Sequence, residues 1–83
     1  GVITCPLDRA VIESGLDVVS FLSTTAILPS KGEARKMIAA GGISINRKKV
    51  EGIDLQIDPS LLLQQEFILV QRGKKTYFLV QVR

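Results

Sequence analysis

The chain has 83 residues, a hydrophobic fraction of 46%, and 11 Lys+Arg against 8 Asp+Glu, giving a formal net charge of +3 with no histidine. One domain is the ceiling at this length, and the apolar fraction is too high for a disordered tail. The missing histidine excludes His general bases, Ser-His-Asp and Cys-His nucleophiles and His metal ligands, and the lone Cys5 excludes an internal disulfide or a cysteine zinc cluster.

Residues 1–15 show no sustained period and are punctuated by Pro6 and Gly15. They read as a linker from an upstream domain, with an extended piece at Val2–Thr4; residues 16–83 read as the folded domain. Asp17 is a candidate N-cap, and Val18, Phe21 and Leu22 follow at helical spacing. This predicts a helix of about two turns ending near Ser23–Thr25, closed off by Pro29. Ser30-Lys31-Gly32-Glu33 is a capping-box pattern, in which Ser30 bonds the Glu33 N–H and the Glu33 carboxylate reaches back. The second helix is expected from Lys31 to Ala40, with Ala34, Met37 and Ile38 on its apolar face and Gly41-Gly42 as the stop.

Ile43-Ser44-Ile45 alternates as a short strand, followed by a basic turn at Asn46-Arg47-Lys48-Lys49. Ile53, Leu55 and Ile57 alternate as a further extended segment, and Asp58-Pro59 marks a turn, with Leu61 and Leu62 facing the core. Phe67–Gln71 and Thr76–Val82 form the clearest hairpin, joined by Arg72-Gly73-Lys74-Lys75. The fold class is α+β, two short helices packed on a small, mostly antiparallel sheet. Phe21, Phe67 and Phe78 are expected in the core. Tyr77, on the opposite strand face from Phe78, is expected to cover sheet more than to stack on a base.

The charge is segregated. Residues 31–49 carry Lys31, Arg35, Lys36, Arg47, Lys48 and Lys49 against Glu33, and residues 71–83 carry Arg72, Lys74, Lys75 and Arg83 with no acid. The stretches 1–30 and 50–70 are net acidic. Basic clusters are the footprint of a polyanion partner. Lys31 and Arg35 stand about 40° apart on a helix that turns about 100° per residue, a basic ridge beside the apolar face. The start of that helix, capped by Ser30, favours an anion. The two basic turns offer solvated cations that would release counterions from bound phosphates. Few aromatics and many cations favour recognition of RNA by shape and backbone. Asp54 and Asp58 are four apart but lack any activating neighbour, so catalysis by this chain is not expected.

Ser30-Lys31-Gly32-Glu33-Ala34-Arg35-Lys36-Met37-Ile38, then Gly41-Gly42-Ile43-Ser44-Ile45-Asn46, resembles the RNA-binding domain named after ribosomal small-subunit protein four, the αL motif. Phe67 to Phe78, with its Arg-Gly-Lys-Lys turn, looks like the C-terminal hairpin of bacterial-type tyrosyl-tRNA synthetases, and Ile12–Val19 is similar to their linker into this domain. The resemblance implies an RNA-binding domain over 16–83 that grips tyrosine tRNA near its long variable arm. A separate upstream domain would activate tyrosine with ATP and magnesium. The fragment itself would need no cofactor. Ser30, Lys31, Arg35, Lys36, Arg47, Lys48, Lys49, Arg72, Lys74 and Lys75 are the candidate RNA contacts. Where many relatives have Asn-Gly at the first hairpin, this chain has Asn46-Arg47, so a different turn type is expected there.

The same resemblance implies a homodimeric parent, upstream domains of the same chain as further partners, and a cytoplasmic location. The lone cysteine agrees with a reducing compartment. No apolar run reaches the ~18 residues of a membrane span. Gly1 follows no charged-then-apolar leader, as expected of a piece of a longer protein. Two alternatives stand beside this reading. One is a protein-interaction or interdomain docking module, suggested by the acidic 50–70 stretch and a mean hydropathy of +0.27. The other is the RNA-binding domain of another RNA-modifying enzyme, such as a pseudouridine synthase.

Overall fold

The computed structural model describes residues 2–83. The elements run β1 (Ile3–Leu7), α1 (Arg9–Glu13), β2 (Leu16–Asp17), α2 (Val18–Thr24), α3 (Lys31–Ala39), β3 (Ile43–Ile45), β4 (Lys48–Lys49), β5 (Gln56–Ile57), a 3-10 turn (Pro59–Leu61), β6 (Phe67–Arg72) and β7 (Thr76–Val82). A five-stranded sheet has the order β1-β7-β6-β3-β4, and β2 pairs β5 in a second, two-stranded sheet. The α+β class and the mostly antiparallel sheet agree with expectation; the β1–β7 pair is parallel.

Two differences concern the first 15 residues. Ile3–Leu7, read as linker, is an edge strand in register with Phe78–Val82. Pro6 is tolerated there because an edge strand leaves one side of its backbone unpaired. The pairing partner lies at the far end of the chain, so no local pattern announces it. A third helix, α1, follows, capped by Asp8, whose carboxylate accepts from Ala10 N–H at 3.0 Å. Five residues are too few to show a helical period, yet Ile12 is fully buried. The ends of this segment are also fixed, with Arg9 N–H donating to Arg83 C=O at 2.8 Å and Arg83 N–H to Leu7 C=O at 3.0 Å.

The core lies on one face of the sheet. Ile68 and Val70 of β6 sit opposite Val80 and Phe78 of β7, and all four are buried. Phe21 and Leu22 of α2 and Ala34 and Ile38 of α3 complete the same cluster. The intervening residues Leu69, Gln71, Tyr77 and Leu79 face the other way and are not covered by a helix. Of the aromatics expected in the core, Phe21 and Phe78 are buried and Phe67 is half-buried.

The helix signals act largely as read. Asp17 caps α2 by accepting from Ser20 N–H at 3.0 Å. Ser30 caps α3 by accepting from Glu33 N–H at 3.2 Å. The reciprocal half of the box is replaced by an exposed Glu33–Lys36 ion pair at 3.7 Å. At the far end Gly41, with φ +77, closes a Schellman motif: Gly42 N–H donates to Met37 C=O and Gly41 N–H to Ile38 C=O.

Three other expectations need correction. Lys48 and Lys49 are strand residues, because β3 and β4 pair as Ile45↔Lys48 and leave only Asn46 and Arg47 in the turn. Both turn residues have positive φ, 51° and 71°, which makes the hairpin type I′ despite the Arg. Finally, the alternation of Ile53, Leu55 and Ile57 yields only the two-residue β5. Ile53 and Leu55 are exposed, while Ile57 is buried where it meets Leu16.

Candidate nucleic-acid interface

The α3 cations come from a helix of nine residues, about 13 Å long at 1.5 Å per residue. Ala34 and Ile38 turn inward, which leaves Lys31, Arg35 and Lys36 exposed. The Glu33–Lys36 pair is solvated on both sides and costs Lys36 little of its availability. Lys31 also stands near Asp17, and its charge is one of the smaller influences holding that carboxyl below its ordinary value; the hydrogen bonds from Ser20 are the largest.

The C-terminal end of α3 gathers a second group. A Cβ on Gly41 would stand 2.7 Å from Lys49 Cε and 2.8 Å from Nζ, so the Lys49 stem lies across this glycine. Its ammonium sits at the negative end of the helix dipole. Gly73 N–H donates to Gly42 C=O at 2.8 Å, which brings the β6–β7 turn to the same place. Lys74 and Lys75 are exposed on that turn. The Lys49 side chain and the turn that bears Lys74 and Lys75 therefore both meet the Gly41-Gly42 stop.

Strand direction separates the rest. Ile43 pairs with Arg72 and Ile45 with Val70, so the β3–β4 turn points to the opposite end of the sheet from the β6–β7 turn. Arg47 is exposed at that opposite end, and Lys48 lines a groove with Glu51, Asp54 and Leu55. The two basic turns are thus not one patch.

Arg72 differs from the other candidates because it is turned into the protein. Its guanidinium donates to Ile27 C=O at 2.5 Å and lies 4.9 Å from the centre of the Phe78 ring. Its strand pairing, Arg72↔Thr76, also reduces the loop to Gly73-Lys74-Lys75. Ser30 is engaged as the α3 cap.

Two structural roles have no signal in spacing. Arg9 donates to Gln65 C=O at 2.9 Å. Asn46 Nδ2 donates to Leu61 C=O at 2.7 Å, and Asn46 Oδ1 accepts from Leu69 N–H at 3.0 Å. Only the tolerance of Asn for positive φ was legible in advance. Burial pushes the Cys5 thiol up from its ordinary value, the reverse of an activated thiolate. Among the described residues, no group of three or more His, Cys, Asp or Glu could hold a metal ion, and no helix is long and apolar enough to cross a membrane.

Comparison with known proteins gives a consistent picture. Residues 7–80 match the model of the tyrosine–tRNA ligase SYY-like C-terminal domain. The tyrosine–tRNA ligase of Parabacteroides distasonis is 43% identical over 75 residues, covering 89% of this chain and 17% of that protein. That of Bacteroides thetaiotaomicron is 41% identical over 81 residues, 96% of this chain and 19% of its own. That of Cytophaga hutchinsonii is 40% identical over 84 residues, with shares of 98% and 19%. The chain therefore spans less than a fifth of the length of these relatives. It belongs to the family of tyrosine–tRNA ligase SYY-like C-terminal domains.

Proposed function

We propose that this chain holds tyrosine tRNA for a tyrosine–tRNA ligase of which it is the C-terminal part. The supporting observation is the set of exposed cations along α3 and around its C-terminal end, in a domain of this family. Lys31, Arg35 and Lys36 would meet phosphates along the helix, and Lys49, Lys74 and Lys75 would meet them at the Gly41-Gly42 stop. Arg47 and Lys48 would contribute from the other end of the sheet. Arg72 and Ser30 would act by shaping the surface, Arg72 as a brace and Ser30 as a cap. The mechanism is neutralisation of backbone phosphates by fixed cations, which positions the nucleic acid without reading each base.

Tyrosine activation with ATP and magnesium would belong to upstream domains of a cytoplasmic, homodimeric parent. The fragment would carry no catalytic residue and take no cofactor of its own. Residues 16–83 would form the RNA-binding domain, with β1 and α1 fastening the incoming chain to it.

Reversal of Lys31 and Arg35 to Glu should weaken binding of tyrosine tRNA by at least about tenfold, given that each lost phosphate contact removes a counterion-release gain. Reversal of Arg83, exposed at the sheet end away from Lys74 and Lys75, should change little. Equal effects would reject the helix ridge as part of the site.

A further inference from the structure

The uncovered face of the sheet carries a groove lined by Val2, Arg47, Leu69, Gln71 and Tyr77. Gln71 and Tyr77 are direct cross-strand partners, and Leu69 lies two residues back on the same face. Asn46 N–H donates to Leu69 C=O at 2.7 Å, which anchors the turn bearing Arg47 beside Leu69. The Gln71 amide N–H donates to Lys74 C=O at 3.2 Å, fixing that side chain and leaving its amide oxygen as an acceptor. Tyr77 is 37% exposed, the most accessible aromatic ring of the domain.

We infer that this groove takes an unpaired nucleobase of the bound RNA, stacked on Tyr77 and edged by Arg47 and Gln71. The inference rests on the tRNA-holding reading above. The chemistry matches one occupant well. An aromatic face offers a base a stacking partner worth having whatever its identity. A guanidinium and an amide supply donors and an acceptor for a base edge or its phosphate. Arg47 adds an argument from strain. It holds φ at 71°, a conformation that Gly would adopt freely and Arg does not. Strain of this kind persists where the surrounding structure imposes it, here the two-residue hairpin, and it clusters at sites that bind ligands. The face is a poor match for a protein partner, because Gln71, Gln81, Ser44 and Thr4 interrupt its apolar residues instead of framing a contiguous apolar centre.

The test uses the fact that the chain has one tyrosine and no tryptophan, so its ultraviolet emission reports Tyr77 alone. Hexamers of uridine and of adenosine, and then tyrosine tRNA, are titrated into the chain at low salt. Tyr77 emission should fall to a plateau along the binding curve. By anisotropy of labelled RNA, Tyr77→Leu should bind about 5- to 100-fold more weakly, and Tyr77→Phe within about twofold of the parent, because stacking needs the ring and not the hydroxyl. Thermal melts establish that both variants fold, and Leu69→Glu, which obstructs the same groove without touching the ring, should weaken binding too. If tRNA binds in a salt-dependent manner, weakened by Lys31→Glu, while Tyr77 emission and the Tyr77→Leu affinity stay unchanged, the groove is overturned and the tRNA-holding reading stands. Absence of any RNA binding overturns both. Self-association by sedimentation that Tyr77→Leu abolishes would assign the face to a second copy of the chain and likewise overturn the inference.

Discussion

Arg72 and Ile27, 45 residues apart in sequence, are joined by a hydrogen bond of 2.5 Å from guanidinium to main-chain carbonyl. The bond ties the base of the Lys74–Lys75 turn to the segment that leads into the Ser30 cap of α3. Two groups of cations that sequence places far apart are thereby held in a fixed relation. Loss of the bond leaves the Ile27 carbonyl without this partner and removes the cation–π contact with Phe78. Arg72→Ala should therefore cost about 2–3 kcal/mol in urea denaturation. Arg72→Lys should recover only part of this, because an ammonium does not reproduce the planar fork. An unchanged denaturation midpoint for Arg72→Ala would contradict the brace.

The β3–β4 turn predicts substitutions of opposite sign at adjacent positions. Asn46 bonds Leu61 and Leu69 through its side chain, so Asn46→Ala removes two partly buried hydrogen bonds and should destabilise the chain by about 2 kcal/mol. Arg47→Gly relieves a positive φ without losing any hydrogen bond of its side chain and should stabilise by about 0.5–1 kcal/mol. The two denaturation midpoints should move in opposite directions from the parent. Arg47→Gly should also bind RNA less well, separating stability from function at this residue.

The contrast between these positions shows what the sequence could disclose. Caps and stops at Asp17, Ser30 and Gly41 are local chemistry, and the structure reproduces them at those residues. The Phe67–Val82 hairpin was legible because alternation and a Gly-containing loop coincide within a few residues. The β1–β7 pairing was not, since Ile3 meets Phe78 across nearly the whole chain and Pro6 reads as a breaker. The Ile53–Ile57 alternation misled for a related reason, as only Ile57 finds a partner strand. Residue type identified the cations of the candidate site, but not their arrangement. The antiparallel register of β3 with β6 is what sends Arg47 to one end and Lys74 to the other, and a rotamer directed at Ile27 is what commits the half-buried Arg72 to the protein.

Acid should weaken the fold through Asp17. Hydrogen bonds from the Ser20 hydroxyl, at 2.7 Å, and the Ser20 N–H hold its carboxyl below the ordinary aspartate value. A carboxyl depressed in the folded state stabilises fully above its unfolded value and loses that contribution as pH falls through the folded one. Stability measured by urea should therefore be flat from neutral pH down to about pH 5, then decline below the normal aspartate range near 4. Ser20→Ala should lessen the acid-dependent part of the loss, and Asp17→Asn should remove the contribution of this group. An unaltered pH profile in both variants would reject the assignment.

Binding of tRNA phosphates by the cations of α3 and the β6–β7 turn is the core of the proposed function. Its most direct measurement is the affinity for tyrosine tRNA as a function of salt, compared between the parent chain and the Lys74→Glu/Lys75→Glu variant. Log affinity should fall linearly with log salt, with a slope shallower in the variant by roughly 0.7–0.9 for each phosphate contact removed. Arg83→Glu should leave that slope unchanged. A flat salt response in the parent, or the same slope in the parent and the Lys74→Glu/Lys75→Glu variant, would rule out phosphate binding by these lysines.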